Sequence, residues 1–143
     1  MTDGHNILLD TSALIDLTDV NGEDVAAKVG CEIADLRPGI SSITLAELAA
    51  AGPHAADDPA VRAARQALLQ WAESTFDPLP FDTDAARAYG VIYAAVVAAR
   101  RQPRKRLADL LIASVAVANN LPLVTRNAGD FTGLDRQLGV ISV

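Results

Sequence analysis

Three short apolar runs, residues 6–10, 121–125 and 139–143, and a fourth strand-like stretch at 39–42 are separated by segments whose apolar residues recur at helical spacing. Runs this short make strands, and strands separated by helices pair in parallel through right-handed crossovers. The chain is thereby restricted to an α/β fold, a three-layer α/β/α sandwich around a parallel central sheet. Its 143 residues suit a single domain over 1–143. Half of them are apolar and 21% charged, which supplies a core and argues against disorder of the whole chain.

The helical stretches have recognisable ends. Residues 23–36 place Val25, Val29, Ile33 and Leu36 on one stripe, closed by Pro38-Gly39. Residues 44–51 form the next helix, broken at Gly52-Pro53 and followed by a linker-like loop over 55–59. Residues 61–76 form another. Asp77-Pro78-Leu79-Pro80-Phe81-Asp82 reads as an edge strand, because two prolines would interrupt a central ladder. Thr83 opens an alanine-rich helix that must stop before Pro103, and residues 107–118 are apolar almost all round, the pattern of a buried helix.

Composition removes several function classes. The six aromatic residues are scattered, so no stacking platform for single strands is expected. A lone Cys31 excludes a disulfide framework and a cysteine-rich zinc site, and His5 and His54 form no chelating pair. The longest apolar run, residues 91–99, falls short of a membrane span. The first residues carry an acid and no basic segment, unlike a secretion signal, and a cytoplasmic location is expected. The net charge of -6 argues against polyanion binding by overall field, yet five of the twelve basic residues, Arg100, Arg101, Arg104, Lys105 and Arg106, crowd into seven positions.

In parallel α/β sheets the site lies at the carboxyl ends of the strands. Oxygen donors gather there: Asp10, Thr11 and Ser12 after the first strand, Glu47 in the helix after the second, Asn127 and Asp130 after Thr125-Arg126. Asp109 is the only charge in the apolar run of residues 107–118. Each also has a plain structural reading. Asp10 can cap a helix, Glu47 completes a capping box with Thr44, Asp109 suits a helix first turn and Asp130 a turn. Together they are costly to bury without a cation, since neighbouring carboxylates repel. Hard oxygen donors without His or Cys suit Mg²⁺ or Mn²⁺.

Ile7-Leu8-Leu9-Asp10-Thr11-Ser12, Thr44-Leu45-Ala46-Glu47-Leu48, Ala108-Asp109-Leu110-Leu111-Ile112-Ala113 and Leu123-Val124-Thr125-Arg126-Asn127 with Asp130-Phe131 resemble, in order and over nearly the whole chain, the PIN-domain ribonucleases. More specifically, they resemble VapC toxins of bacterial type II toxin-antitoxin modules. Leu79-Pro80-Phe81-Asp82 ahead of an alanine-rich helix fits the same pattern. The resemblance implies a PIN fold, Mg²⁺- or Mn²⁺-dependent endonucleolytic cleavage of RNA, neutralisation by a VapB antitoxin, and a homodimer within a toxin-antitoxin assembly. It carries the acidic site onto Asp10, Glu47 and Asp109. The family's fourth position falls on Asn127, a loss of charge, with Asp130 as the nearby acid; a positive φ at Gly129 is expected to swing Asp130 back to the rim.

Asp10 and Asp109 are the expected direct metal ligands and Glu47 the residue that binds through water or orients the nucleophile. Thr11, Ser12, Asn127 and Arg126 are candidates for phosphate or supporting contacts. Arg104, Lys105 and Arg106 either hold RNA phosphates or form a solvated loop. Phosphoaspartate enzymes lack support, because Ser12 stands where a phosphatase needs Asp and no Lys follows the last strand. P-loop, dinucleotide and Ser-His-Asp readings lack their glycine motifs. The alternative from another class is a catalytically weak PIN domain that binds RNA or a protein, suggested by Asn127.

Overall fold

In a computed structural model that describes residues 5–17, 22–51 and 56–143, four strands form one parallel sheet. They are β1 (Ile7–Leu9), β2 (Pro38–Ile40), β3 (Leu123–Thr125) and β4 (Val140–Ser142), in the spatial order β2-β1-β3-β4. Leu9 of β1 stands opposite Ile40 on one side and Val124 on the other. The interior strand therefore delivers Asp10 between the ends of both neighbours. The chain steps from β1 outward to β2 and then returns to the other side of β1 as β3, so the order reverses between β1 and β3. That reversal opens a crevice at the strand ends.

The period of two along β1 divides the core. Leu8 and Leu123 face Ile92 and Val96 of α5 (Thr83–Ala98) and Leu110, Ile112 and Ala113 of α6 (Leu107–Ala118). Ile7, Leu9, Ile40 and Val124 face the other way, onto Leu14 of α1 (Thr11–Leu17), Val25 of α2 (Gly22–Val29), Leu48 of α3 (Ser42–Ala51) and Ala72 of α4 (Pro59–Thr75). Three layers result, as the alternation of strands and helices predicts. Each fully buried Leu, Ile or Val contributes about 1.5–3 kcal/mol, and these fix the sheet under the site. No described helix is long and apolar enough to cross a membrane.

Three local expectations are corrected. The helix expected over 23–36 stops at Val29. Gly30 takes φ +87, its N–H reaches the Ala27 carbonyl and that of Cys31 reaches the Ala26 carbonyl, which together close the helix end. Ile33, expected on the buried stripe, is instead 52% exposed in a short 3₁₀ turn. Residues 77–82 do not form a strand: one bridge joins Leu79 to Ser41, held by Leu79 N–H to the Ile40 carbonyl and Ser42 N–H to the Leu79 carbonyl. Pro78 and Pro80 have no N–H with which to extend it. Gly129 is not in the left-handed region; a 3₁₀ turn, Ala128–Phe131, sets the direction of Asp130 instead. The helix break expected at Gly52-Pro53 and the loop's first residue, Ala55, lie outside the described residues.

Candidate active site

Asp10 is buried where β1 gives way to α1. Its Oδ1 accepts the Ala13 N–H at 2.9 Å and the Ser12 hydroxyl at 2.7 Å, so it does cap the helix. A carboxylate has further acceptor capacity beyond those two bonds. Capping and a place at the rim are thus compatible roles. The Ser12 Oγ in turn accepts the Arg126 N–H at 3.3 Å, tying the end of β1 to the end of β3.

Glu47 is not a cap. Helix α3 begins at Ser42, and the residue before it, Ser41, takes the Thr44 N–H on its Oγ at 3.1 Å. With the cap supplied earlier, Glu47 sits in the second turn and reaches toward β1. Thr11 donates its hydroxyl to Glu47 Oε1 at 2.6 Å and lies 3.2 Å from the Thr44 hydroxyl. Thr11 has one proton and spends it on the carboxylate, so the buried Thr44 is the donor in the second bond. This relay fixes Glu47 against the first strand end. Sequence reasoning gave Thr44 only a capping role and passed over Ser41, although Ser41-Ser42-Ile43-Thr44 reads as a serine cap with its bonded residue three positions on.

Asp109 stands in the first turn of α6, half-buried. Burial pushes its carboxyl up to about 6, and the charges of Asp130, Asp10 and Glu47 push in the same direction, while Arg106 opposes them. Three carboxylates from three other segments therefore lie near enough to act on Asp109 at one rim. Arg106, at the end of the 3₁₀ turn Pro103–Arg106, makes an ion pair with Asp130. Arg101 donates to the Gly129 carbonyl at 2.9 Å. Arg104 and Lys105 are exposed on the same connection.

Asn127 is exposed, with its N–H on the Thr125 hydroxyl at 3.0 Å. It lines, with Ser12, Ile15 and Arg126, an open groove of about 320 Å³ at the strand ends. A larger depression of about 780 Å³ beside α2, bordered by Glu23, Cys31 and Ile33, contains none of the rim residues. The groove by Asn127 is linked to the rim through Ser12, whose hydroxyl donates to Asp10.

The donor set is carboxylate and hydroxyl oxygen, which suits a hard divalent ion. Among the described residues no three His, Cys, Asp or Glu side chains close into a ready-made cage.

Residues 7–136 match the PIN domain family. Over 99 residues, covering 69% of this chain and 70% of the relative, the sequence is 37% identical to Ribonuclease VapC5 of Mycobacterium tuberculosis (strain ATCC 25618 / H37Rv). Among solved structures, VapBC-5 from Mycobacterium tuberculosis, a member of the VapBC family of toxin-antitoxin systems, is similar with a TM-score of 0.76 and 32% identity over 96% of this chain and 98% of that one. FitAcB from Neisseria gonorrhoeae is similar with a TM-score of 0.71 and 27% identity over 95% and 96% of the two chains.

Proposed function

The chain belongs to the PIN-domain family, and from that premise we propose that it is a Mg²⁺- or Mn²⁺-dependent endoribonuclease acting in the cytoplasm as the toxin of a toxin-antitoxin pair. The observation that carries this reading is the convergence of Asp10, Glu47 and Asp130 on the half-buried Asp109, whose carboxyl is pushed up first by burial and then by those three charges. A partly buried carboxylate with three others acting on it is what a divalent cation relieves.

Asp10 and Asp109 hold the ion, Asp10 from the interior strand and Asp109 from the buried helix. Glu47, oriented by Thr11, positions the attacking water. Asp130 replaces the charge missing at Asn127, which supports an enzyme over a binding-only PIN domain. A bound Mg²⁺ or Mn²⁺ supplies neutralisation of the phosphodiester and acidification of water. Arg126 and Asn127 line the groove in which the scissile phosphate is held, and the exposed Arg104 and Lys105 take phosphates further along the strand.

A VapB-type antitoxin restrains the activity, with an arginine fork of the antitoxin on the acidic rim for the same electrostatic reason that a metal binds there. A homodimer of the toxin covers the exposed Tyr93 and Val97, one turn apart on α5. The reading is tested by incubating the purified protein with total RNA and Mg²⁺, with chelator and Asp10→Asn as controls. Cleavage that needs the ion and Asp10 is expected; cleavage indifferent to both, or none from the wild type, refutes it.

A further inference from the structure

Two arginines of the α5–α6 connection grip consecutive residues of one turn. Arg101 donates to the carbonyl of Gly129 at 2.9 Å and Arg106 pairs with the carboxylate of Asp130. The connection is itself held in place. Arg100 takes a left-handed backbone (φ 59) where α5 ends, and Pro103 is buried between the two arginines. Beyond the turn, Gly133 takes φ +94 beside Ala99, so close that a Cβ on it would lie 2.8 Å from the Ala99 Cβ. Asp130 is thus fixed by its own turn from both sides, and the Arg106 pair is an addition to that support. The side chains of the pair are 36% and 30% exposed, partly withdrawn from water, where an ion pair is stronger than on open surface.

Arg106 also immediately precedes α6, three positions before Asp109 in the first turn. Its guanidinium therefore sits within the acidic rim as a cation fixed to the chain. A divalent ion at that rim seeks the same carboxylate oxygens and is repelled by the same positive charge.

We propose that Arg106 is a positioning residue that serves as a tethered counter-cation, holding Asp130 until a divalent ion displaces the guanidinium from that carboxylate, so that Arg106 sets the metal affinity of the rim. The proposal rests on the reading of the four carboxylates as a metal site. It has a sign that other roles lack. A residue that merely scaffolds Asp130 would, once removed, weaken metal binding, and one that only holds RNA phosphate would leave it unchanged. A displaced counter-cation, once removed, strengthens it.

Mn²⁺ titrated into the chelator-treated full chain, with free Mn²⁺ followed by electron paramagnetic resonance, tests this without any RNA. Arg106→Gln is expected to bind Mn²⁺ on the order of fivefold to tenfold more tightly than wild type, and Arg106→Lys close to wild type. In an Asp130→Asn background the gain from Arg106→Gln is expected to shrink below about twofold, as for residues acting through one another. Without metal, Arg106→Gln melts lower than wild type, and saturating Mn²⁺ raises its Tm by more than it raises the wild type's. Should Arg106→Gln fail to fold, Arg106→Met carries the same expectation. Unchanged or weaker Mn²⁺ binding by the neutral variants overturns the proposal while wild-type binding that is lost in Asp109→Asn leaves the metal site standing. No binding by the wild type, or equal binding by Asp109→Asn, removes the metal site and the proposal with it.

Discussion

The Thr11 hydroxyl donates to Oε1 of Glu47 at 2.6 Å, joining the first residue of α1 to the second turn of α3 across the end of the sheet. The bond spans 36 residues of sequence and gives Glu47 a fixed direction that its own helix does not impose. Substituting a residue that orients a ligand or water-positioning group usually costs 10–100-fold. Thr11→Val is accordingly expected to lower RNA cleavage by about tenfold or more, with a smaller loss in Thr11→Ser, which restores the donor. Steady-state rates of the two variants check this: equal rates for Val and wild type would leave the bond without a part in catalysis.

The push on Asp109 has a thermodynamic sign. Its carboxyl is raised from 3.8 to about 6 in the folded chain, so the protonated form favours folding and that contribution is present in full below the unfolded value. It is lost as pH rises from about 4 through about 6, and above that the folded chain carries the cost of a buried charge and of the repulsion by its neighbours. Asp109→Asn removes the titration. In chelator, the variant should therefore melt higher than wild type at pH 7.5 and equal to it near pH 4. After discounting for solvent screening, the advantage is on the order of 1–2 kcal/mol at the high-pH end. Melting curves across this range decide the matter; a difference independent of pH means that Asp109 acts on stability through packing alone.

The residues that could be read along the chain are those whose role is set by neighbours in sequence. Asp10 follows an apolar run and precedes Thr-Ser, so strand, cap and rim position are all legible together. Asp109 stands out because one acid in a wholly apolar helix demands a reason. What stayed hidden depends on contacts made by the fold. Arg106 and Asp130 are 24 residues apart and meet only because two loops pack side by side. The Thr44 hydroxyl is committed to Thr11 only once β1 and β2 are paired. The early stop at Val29 is different: the apolar stripe runs on to Leu36 in sequence, but Gly30 in a left-handed backbone ends the helix before it. Likewise Pro78 and Pro80 marked an edge, and they limit it further, to a single bridge.

Asp10 has two jobs that different substitutions separate. Asparagine is as good a cap as aspartate but loses the charge, whereas alanine loses both. Asp10→Asn should abolish cleavage and leave Tm within a few degrees of wild type. Asp10→Ala should abolish cleavage and in addition cost about 1 kcal/mol of stability, because the Ala13 N–H and the Ser12 hydroxyl lose their acceptor. Urea denaturation of both variants in chelator measures the difference. Equal stability of the two would mean that the cap is replaced by water.

Asn127 and Asp130 are three residues apart and face different surroundings, Asn127 the groove with Ser12 and Arg126, Asp130 the ion pair with Arg106. Their substitutions should therefore fail differently. Asp130→Asn is expected to raise the Mg²⁺ concentration needed for half-maximal cleavage severalfold, since one charge of the rim is gone. Asn127→Ala is expected to leave that concentration unchanged and to raise KM for RNA, through loss of a phosphate contact. Mg²⁺ titrations at saturating RNA and RNA titrations at saturating Mg²⁺ distinguish the two, and an exchanged pattern would reassign Asn127 to the ion.

Arg104, Lys105 and Arg106 are contiguous in sequence but not equivalent in space. Arg106 is engaged by Asp130, whereas Arg104 and Lys105 lie exposed on the turn. Each cation that neutralises a phosphate of single-stranded RNA contributes roughly 0.7 to the slope of log affinity against log salt. Neutralising Arg104 and Lys105 together should then weaken binding of a non-cleavable RNA and flatten that slope by about 1.4. In chelator, Arg106→Gln should flatten it by much less, because without a divalent ion its guanidinium stays committed to Asp130. Binding isotherms at several salt concentrations, with Asp10→Asn as the common inactive background, measure both slopes. If all three positions contribute alike, the ion pair with Asp130 opens on RNA binding and Arg106 belongs to the phosphate track as well.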